Sequence, residues 1–593
     1  MLVLIYLAPL IMFSVAARRL PEIVRRIFRV TYSFLFLLAL QGILRLMLYY
    51  DPPFDKVFEI FGTSIYTTVQ SITFTGTLAW AESVRISAFT KGQIWVIAFV
   101  ASMVTVHSVV ATVFGKFLNQ LDMKIKGGFK KEQYIILGDA ESARTLIKDI
   151  IRHVKKPYII FLPTDELKDD DPLYLRCRVE KTDYLEKISK RKKIHIVLLP
   201  DSEYSNLDRL YMLNDCGNSS LYVTAFLNND VVRYHDLHID NIENCVISVD
   251  QVLVEHFLKQ SSPFELLKSR GAFSDGALPY QEQPFSLCVI GFGKIGQEFL
   301  LRSYETSSFL TADGSPSFEA LVVDRFASVL EQGFVNNAPY FCENKMVEFL
   351  QTDVDSEAYF DAILKRADRL HQIVVAIGNT RENVAAALSI CRFFDRLGCY
   401  ENRPQIVVIL SDSMVGAESL FKDYPNVKMM DFNEEIFNYA DLIEAKIDGV
   451  AKQINDTYNQ KSGRGKPWRK LGTYLQALNR STFYDIHIKK ELYGMCTAHE
   501  KERMKFLARY EHERWCAFTR SHGWKLLPLG ELTQEEKDNY ILKREQQKLH
   551  ACLIPWDELD KLPQRTEGEI RSYDTANVEQ ALAYRDEEFA DTE

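Results

Sequence analysis

The chain has 593 residues, of which 47% are hydrophobic and 25% charged, with ten cysteines and a net charge of −9. This length allows about four modules of roughly 150 residues each. The acidic balance gives no basic field that would attract nucleic acid, so we expect no nucleic-acid partner. The cysteines form no CxxC pair and no zinc-spaced cluster, which predicts neither a disulfide framework nor a structural metal.

Three apolar stretches near the start predict membrane spans at residues 1–17, 30–50 and 92–117. About 20 apolar residues cross a hydrocarbon layer of ~30 Å. The first stretch has no basic residue at its start and is followed by arginines, which favours a retained span over a cleaved signal peptide. The arginines between the first two spans and the lysines after the third place both flanks in the cytosol. We therefore predict a multi-pass protein of the cell (inner) membrane, in contact with lipid, whose C-terminal domains are cytoplasmic.

A shorter segment, residues 61–73, cannot cross the layer and precedes a small-residue turn at Gly76. Carbonyls or hydroxyls of such a segment can replace part of a cation's water shell. The arrangement resembles the pore helix and filter of tetrameric potassium channels, which implies a monovalent cation in a pore. Those filters read TVGYG with two glycines, and this segment has one. A less selective pore is therefore one alternative, and an extracellular hairpin of a membrane anchor is another. The predicted filter residues are Thr73, Phe74, Thr75, Gly76 and Thr77.

After residue 131 the pattern changes to short apolar runs that alternate with helical segments. This alternation is typical of parallel sheets with crossover helices. We therefore predict two tandem Rossmann-like α/β domains. The first series of strands is predicted at residues 133–138, 157–162, 194–200, 220–226 and 244–249. The second series begins at Ser286 and continues at residues 319–324, 347–351, 372–378, 405–410 and 427–430.

Gly291, Gly293 and Gly296 form a GxGxxG motif between a predicted strand and a predicted helix. Glycines at this spacing permit a tight turn and a close approach of phosphate to the helix N-terminus. Asp324 ends the following strand, where an acid can bind ribose hydroxyls. The motif predicts an NAD- or ATP-type nucleotide, and a turn that serves only packing is the open alternative. No nucleophile–base pair or hydride-transfer pair follows the motif, so we expect a regulatory ligand and no enzyme.

Two tandem nucleotide folds behind a two-helix pore resemble the RCK (regulator of potassium conductance, or TrkA-N) domains of ligand-gated channels. The resemblance covers residues 131–454 and rests on order and pattern. It implies a homotetramer in which eight modules form a cytosolic gating ring, and residues 248–260 take the place of a helix that such rings use for subunit contact. The first domain has only Gly138 and Asp139 at the turn, which we interpret as a structural copy without the same ligand.

The C-terminal part carries a different signature, with EHERW at residues 511–515, Gly-Trp at 523–524 and an H…PWDEL segment at 550–559. These residues resemble the RyR domain, an all-α repeat module named for the ryanodine receptor, over residues 466–583. The resemblance implies a nucleotide second messenger, with a cyclic dinucleotide as the first ligand expected. A satisfied helical core is the alternative role for the same side chains. The predicted ligand-binding residues are Glu511, Arg514, Trp515, Trp524, His550 and Trp556.

Together these patterns predict a membrane α-helical pore domain, two tandem Rossmann-like RCK domains and a C-terminal all-α RyR-like domain. The predicted function is a homotetrameric, ligand-gated cation channel, with potassium as one candidate ion. The alternative is a non-conducting, membrane-tethered nucleotide sensor that recruits partners. The predicted segments are an N-terminal helix and basic linker at 1–29, the pore domain at 30–118, RCK-like domains at 131–275 and 284–454, and the RyR-like domain at 466–583.

Overall fold

The computed structural model of the chain describes residues 54–72, 120, 123–125, 127, 130–168, 171–188, 192–201, 205–398, 403–410, 416–431, 436–444, 446–462 and 465–584. The predicted spans at residues 1–17, 30–50 and 92–117 and the predicted filter at residues 73–77 lie outside these ranges. Within the described ranges, no helix combines the length and the apolar character that a bilayer crossing needs. The chain divides into two compact units, residues 1–129 with 170–178, and residues 130–169 with 179–593.

In the first unit, helix α1 (Phe54–Ile72) contains most of the predicted pore-helix segment. The helix begins seven residues before residue 61, the predicted start. Ile60, Ser64 and Thr68 are buried at a spacing of four residues, so they share one helix face. The hydroxyl of Thr68 donates to the carbonyl of Ser64 at 2.6 Å. Bonds of this kind satisfy buried hydroxyls within the helix itself.

The second unit contains two six-stranded sheets built from parallel strand pairs. The first sheet has the order β3-β2-β1-β4-β5-β6. Its strands are β1 (Glu132–Gly138), β2 (Ile159–Pro163), β3 (Arg178–Val179), β4 (Lys193–Leu198), β5 (Leu221–Phe226) and β6 (Glu243–Ile247). Its helices are α2 (Ala140–His153), α3 (Ser205–Asp215), α4 (Asn229–Tyr234), α5 (Val249–Gln260) and α6 (Pro263–Ser269).

The second sheet repeats this topology, with the order β12-β11-β10-β7-β8-β9. Its strands are β7 (Phe285–Ile290), β8 (Phe318–Asp324), β9 (Val347–Gln351), β10 (Gln372–Val375), β11 (Gln405–Leu410) and β12 (Val427–Asp431). Its helices are α7 (Lys294–Thr306), α8 (Ala327–Asn337), α9 (Tyr340–Glu343), α10 (Glu357–Leu364), α11 (Thr380–Leu397) and α12 (Ala417–Leu420). In both sheets the chain starts in the centre, builds one half outward, and then returns to build the other half, as in Rossmann folds.

The predicted Rossmann-like folds are therefore confirmed, and most strand boundaries agree within two residues. Strand β10 ends at Val375, three residues before the predicted end. The backbone turns there, and Gly378 has a φ of +127°. Strand β3 was not predicted, because two residues are too few for a recognisable alternation.

The segment after the second sheet returns to the first sheet. Residues 436–444 include a turn of π-helix, Ala440–Glu444. The carbonyl of Leu442 accepts a hydrogen bond from the hydroxyl of Thr224 on β5 at 2.8 Å. The rings of Phe437 and Phe226 meet edge to face at 5.7 Å. The end of the second domain thus completes the core of the first.

The C-terminal module is mainly helical, with a small sheet that the prediction did not contain. Its helices are α13 (Lys446–Ser462), α14 (Thr473–Tyr484), α15 (Ile486–Met495), α16 (Glu500–Ser521), α17 (Gln534–Asp538) and α18 (Glu569–Ala583). Three two-residue strands, β13 (Lys525–Leu526), β14 (Lys543–Arg544) and β15 (Leu549–His550), form a sheet of order β13-β15-β14. The all-α prediction is therefore wrong in this respect, because strands this short leave no periodic signal.

Candidate nucleotide site

The candidate site lies at the carboxyl edge of the second sheet, where β7 and β10 are neighbours. The strand order reverses between these two strands, because β8 and β9 follow on one side and β11 and β12 on the other. In open α/β sheets, ligands bind in the crevice at such a switch point. The GxGxxG turn follows β7 and therefore lies at this crevice.

Two glycines of the motif are required by packing. Gly291 has a φ of +88°, and a Cβ there would lie 2.4 Å from the carbonyl oxygen of Ala376. A Cβ on Gly296 would lie 2.2 Å from the carbonyl oxygen of Gly291. Both distances are far below van der Waals contact, so a side chain at either position would displace the backbone that it meets. These glycines serve the turn and the close helix–strand packing.

Gly293 differs from them, because the described structure leaves the space around it open. It is exposed, has a φ of −70°, and no described atom lies within 4 Å of the position that a Cβ would take. It is the N-cap of α7 and provides no side-chain cap for the helix. Lys294, the first residue of α7, is also exposed. An uncapped helix N-terminus beside a lysine favours an anion.

Asp324 holds the glycine turn against the end of β8. The backbone N–H of Phe292 donates to its Oδ2, and that of Phe326 to its Oδ1, each at 2.8 Å. Both oxygens keep an unused lone pair, so they can still accept from ribose hydroxyls. Phe326 is 63% exposed next to this carboxylate. Sequence analysis did not single it out, although a phenylalanine two residues after the strand-ending acid was a usable signal.

An acid of the first domain also lies within electrostatic range of Lys294. Asp250, in the first turn of α5, interacts electrostatically with Lys294. Burial and then the Glu298 charge raise the pKa of Asp250, Lys294 lowers it, and the resulting pKa is about 6. The charge state of Asp250 therefore changes near neutral pH, beside the lysine most suited to a phosphate.

The corresponding turn of the first sheet cannot hold a phosphate in the same way. A Cβ on Gly138 would meet the Cβ of Leu199 at 2.5 Å, so this glycine is kept by packing. Asp139 then takes the N-cap position that Gly293 has in the second sheet. Its Oδ1 accepts from the N–H groups of Glu141 and Ser142, each at 2.9 Å. The carboxylate thus occupies the anion position itself, in agreement with the interpretation as a structural copy.

In the C-terminal module, the predicted residues Glu511 and Arg514 belong to a buried ionic core. Glu511 is 1% exposed and Arg514 is 3% exposed. Arg514 donates from Nε and Nη2 to the two carboxylate oxygens of Glu511, at 2.8 and 2.9 Å. Lys489 lies 2.8 Å from Glu511 and 2.7 Å from Asp485. Burial raises the pKa of Glu511, but Arg514 and Lys489 outweigh burial and lower it to about 2. Each of the two charges is therefore paired inside the module, and a ligand role for them stays a prediction.

Three other predicted residues meet in an aromatic cluster. The ring of His550 lies 5.0 Å from that of Trp515 and 6.0 Å from that of Trp524. Burial lowers the pKa of His550 to about 3, so the imidazole is neutral and offers a phosphate no charge. Trp556 shares an apolar core with Trp515, and the guanidinium of Arg571 stacks on its ring at 4.4 Å. Ligand binding by these four residues also stays a prediction.

No protein-family model matches the chain, and no curated protein matches it. Among solved structures, it is similar to GsuK bound to ADP, at 13% identity and a TM-score of 0.32, over 71% of this chain and 98% of that one. It is similar to the GsuK channel at 15% identity and a TM-score of 0.33, over the same shares. The GsuK RCK domain follows at 13% identity and 0.31, over 54% of this chain and 78% of that one. Scores this low assign neither a family nor an activity.

Proposed function

We propose that this protein is a ligand-gated cation channel whose cytosolic part binds a nucleotide at the glycine turn of the second sheet. The observation that carries the nucleotide site is the contrast among the three glycines. Packing requires Gly291 and Gly296, whereas the space around Gly293 is open among the described residues. A missing side chain that packing does not need is explained by close approach of a phosphate.

The remaining groups of the site select the class of ligand. Lys294 and the N-terminus of α7 suit a phosphate, Asp324 suits ribose hydroxyls, and the exposed ring of Phe326 suits stacking on a base. These groups fit a nucleoside di- or triphosphate or a dinucleotide such as NAD. A cyclic dinucleotide on the C-terminal module is a second regulatory ligand that the RyR resemblance favours.

Titration calorimetry of the full-length protein with ADP, ATP and NAD tests the nucleotide site. Gly293→Asp places a carboxylate at the N-cap, as Asp139 does in the first sheet, and we expect it to abolish binding by charge repulsion and loss of the anion position. Because Gly293 is exposed with an ordinary φ, the substitution should leave folding intact. Gly293→Asn is the matched control, since it adds a similar volume without the charge. Equal binding by wild type and Gly293→Asp would refute the site.

The pore assignment is a proposal from the sequence pattern, and so is the orientation with these domains in the cytosol of a homotetramer. A thousandfold change in open probability requires about 4 kcal/mol of differential ligand affinity, or about 1 kcal/mol for each of four identical sites. Cation flux into liposomes that contain the purified protein is the test. We expect flux that depends on the nucleotide and is lost in Gly293→Asp. Tight nucleotide binding without flux would instead support the membrane-tethered sensor.

A further inference from the structure

Four charged side chains meet in the interior of the second unit, and we call Arg233, Glu298, Arg302 and Glu305 the buried charge cluster. Arg233 and Glu298 have fully buried side chains, and those of Glu305 and Arg302 are 3% and 7% exposed. Two positive and two negative charges balance within the cluster, and Arg302 also pairs with Glu255, whose side chain is 20% exposed. Burial of charges is tolerated only when each one is paired and hydrogen-bonded.

The pairing within the cluster is dense. Arg233 donates to Glu298 from Nε at 3.2 Å and from Nη2, and to Glu305 from Nη1 at 2.8 Å. Arg302 donates to Glu298 at 2.9 Å and to Glu305 at 2.8 Å. Burial raises the pKa of both acids, but the two arginines outweigh burial and hold each pKa below its ordinary value. All four groups therefore stay charged at neutral pH.

The cluster joins three parts of the chain. Arg233 comes from α4 of the first domain, and the two acids and Arg302 come from α7 of the second. The C-terminal module contributes Ser521 at the end of α16, whose buried hydroxyl hydrogen-bonds to Glu305 and lies 3.4 Å from Arg233 Nη1. Two residues later, Gly523 approaches so closely that a Cβ there would lie 2.6 Å from the carbonyl oxygen of Asn337.

Helix α7 connects this cluster to the candidate nucleotide site. Its N-terminus follows the glycine turn, and its 13 residues span about 20 Å. Rigid secondary-structure elements can carry energetic coupling between distant sites. Charge-assisted hydrogen bonds lose much of their energy when one partner moves by about 1 Å. A displacement of α7 at the glycine turn therefore cannot leave its contact with Ser521 unchanged.

We propose that α7 couples the nucleotide site to the C-terminal module through the buried charge cluster and Ser521. The inference rests on the proposed nucleotide site and names how that site is regulated. Because binding linkage is reciprocal, a ligand or partner of the C-terminal module changes nucleotide affinity by the same factor. The module is then a regulator of the nucleotide site, as well as an appended domain.

Hydrogen–deuterium exchange of the full-length protein with and without ADP tests this coupling. In the wild type we expect ADP to slow exchange in residues 294–306 and also in residues 512–523. Ser521→Ala removes the hydroxyl contact at minimal change in volume. We expect this variant to lose at least about half of the response in residues 512–523 while its ADP affinity stays within about threefold of wild type. Ser303→Ala is the control, because Ser303 is buried on α7 and its hydroxyl has no hydrogen-bond partner in the described part of the chain.

The outcomes separate the two proposals. If the wild type binds none of ADP, ATP and NAD by calorimetry, both the nucleotide site and the coupling are refuted; if it binds ATP or NAD but not ADP, the exchange experiment uses the nucleotide that binds. If ADP binds and protects residues 294–306 but leaves residues 512–523 unchanged, the coupling alone is refuted. An unaltered response of residues 512–523 in Ser521→Ala would also refute the assigned contact. A response that is lost in Ser521→Ala and kept in Ser303→Ala supports the proposal.

Discussion

The three glycines of one motif have different physical roles that their common spacing hides. The backbone at Gly291 has a positive φ and lies against the carbonyl of Ala376, whereas Gly293 has an ordinary φ and open surroundings among the described residues. A residue type alone cannot separate these roles, because glycine permits both unusual backbone angles and close approach. Substitutions at the two positions should therefore change the free energy of unfolding by different amounts.

We therefore expect Gly291→Ala to destabilise the protein by at least about 2 kcal/mol, because it combines a left-handed backbone with a steric clash. Gly293→Ala should change stability by less than about 0.5 kcal/mol. Thermal unfolding of the full-length variants measures the difference. Equal melting temperatures for the two variants would show that the turn does not pack as described.

Asp250 gives the nucleotide site a pH dependence with a defined sign. Its folded pKa of about 6 is raised from an ordinary value of 3.8, so it becomes neutral as the pH falls through 6. Loss of a negative charge near Lys294, in a surrounding that also contains Glu298 and Asp230, should strengthen phosphate binding. We expect Asp250→Asn to bind ADP about threefold more tightly than wild type at pH 7.5, and equally well at pH 5. The ratio of the ADP dissociation constants of the two proteins at each pH cancels the titration of ADP itself. A ratio that is independent of pH would contradict this role of Asp250.

At the scale of elements, the C-terminal helices are joined by charge as much as by apolar packing. Glu511 on α16 pairs with Lys489 on α15, and both side chains are almost completely buried. A buried ion pair gives little net stability over an apolar pair, but removal of one partner leaves an uncompensated charge. Part of the EHERW signature is therefore explained by the contact between these two helices.

The ionic core makes the C-terminal module sensitive to acid. The folded pKa of Glu511 is about 2 against an ordinary 4.5, so its stabilisation is complete above pH 4.5 and is lost as the pH falls towards 2. Glu511→Gln should lower stability by about 3 kcal/mol at neutral pH. The difference in melting temperature between variant and wild type should shrink as the pH falls below 4.5. A difference that is constant down to pH 3 would contradict the ionic core.

At the scale of the whole second unit, the domains are interleaved. Residues 436–444 pack on the first sheet, and the C-terminal module contacts both α4 and α7 through Ser521. Residues 436–444 and the C-terminal module therefore both contact the first domain, and the module also contacts the second. Such contacts between distant parts of the chain make independent unfolding of one domain unfavourable.

Gly523 tests how tightly the C-terminal module docks. Its φ is +81°, and a Cβ would lie 2.6 Å from the backbone oxygen of Asn337. Gly523→Ala should therefore cost about 1–3 kcal/mol and speed hydrogen exchange around residues 337 and 523. Gly530→Ala is the control, because its φ is ordinary and no described atom lies within 4 Å of the Cβ position. Equal exchange in both variants would show that the docking contact is loose.

Features that depend on neighbours along the chain could be predicted from the residues alone. The alternation of apolar runs and helices predicted both parallel sheets, and the glycine spacing located the turn after β7. The boundaries of β9 and β11 were predicted correctly, because strand periodicity and turn chemistry are local properties. The spans and the filter were predicted in the same way, and they stay predictions.

Which side chains are accessible and which are paired could be learned only from the folded chain. It placed Glu511 and Arg514 in an ionic core, left Gly293 exposed, and brought Arg233, Glu305 and Ser521 together from three parts of the chain. Burial and long-range pairing depend on how all the elements pack at once, so residues far apart in sequence carry no local signal of their contact. For that reason the glycine motif could be predicted from the sequence, whereas the buried charge cluster could not.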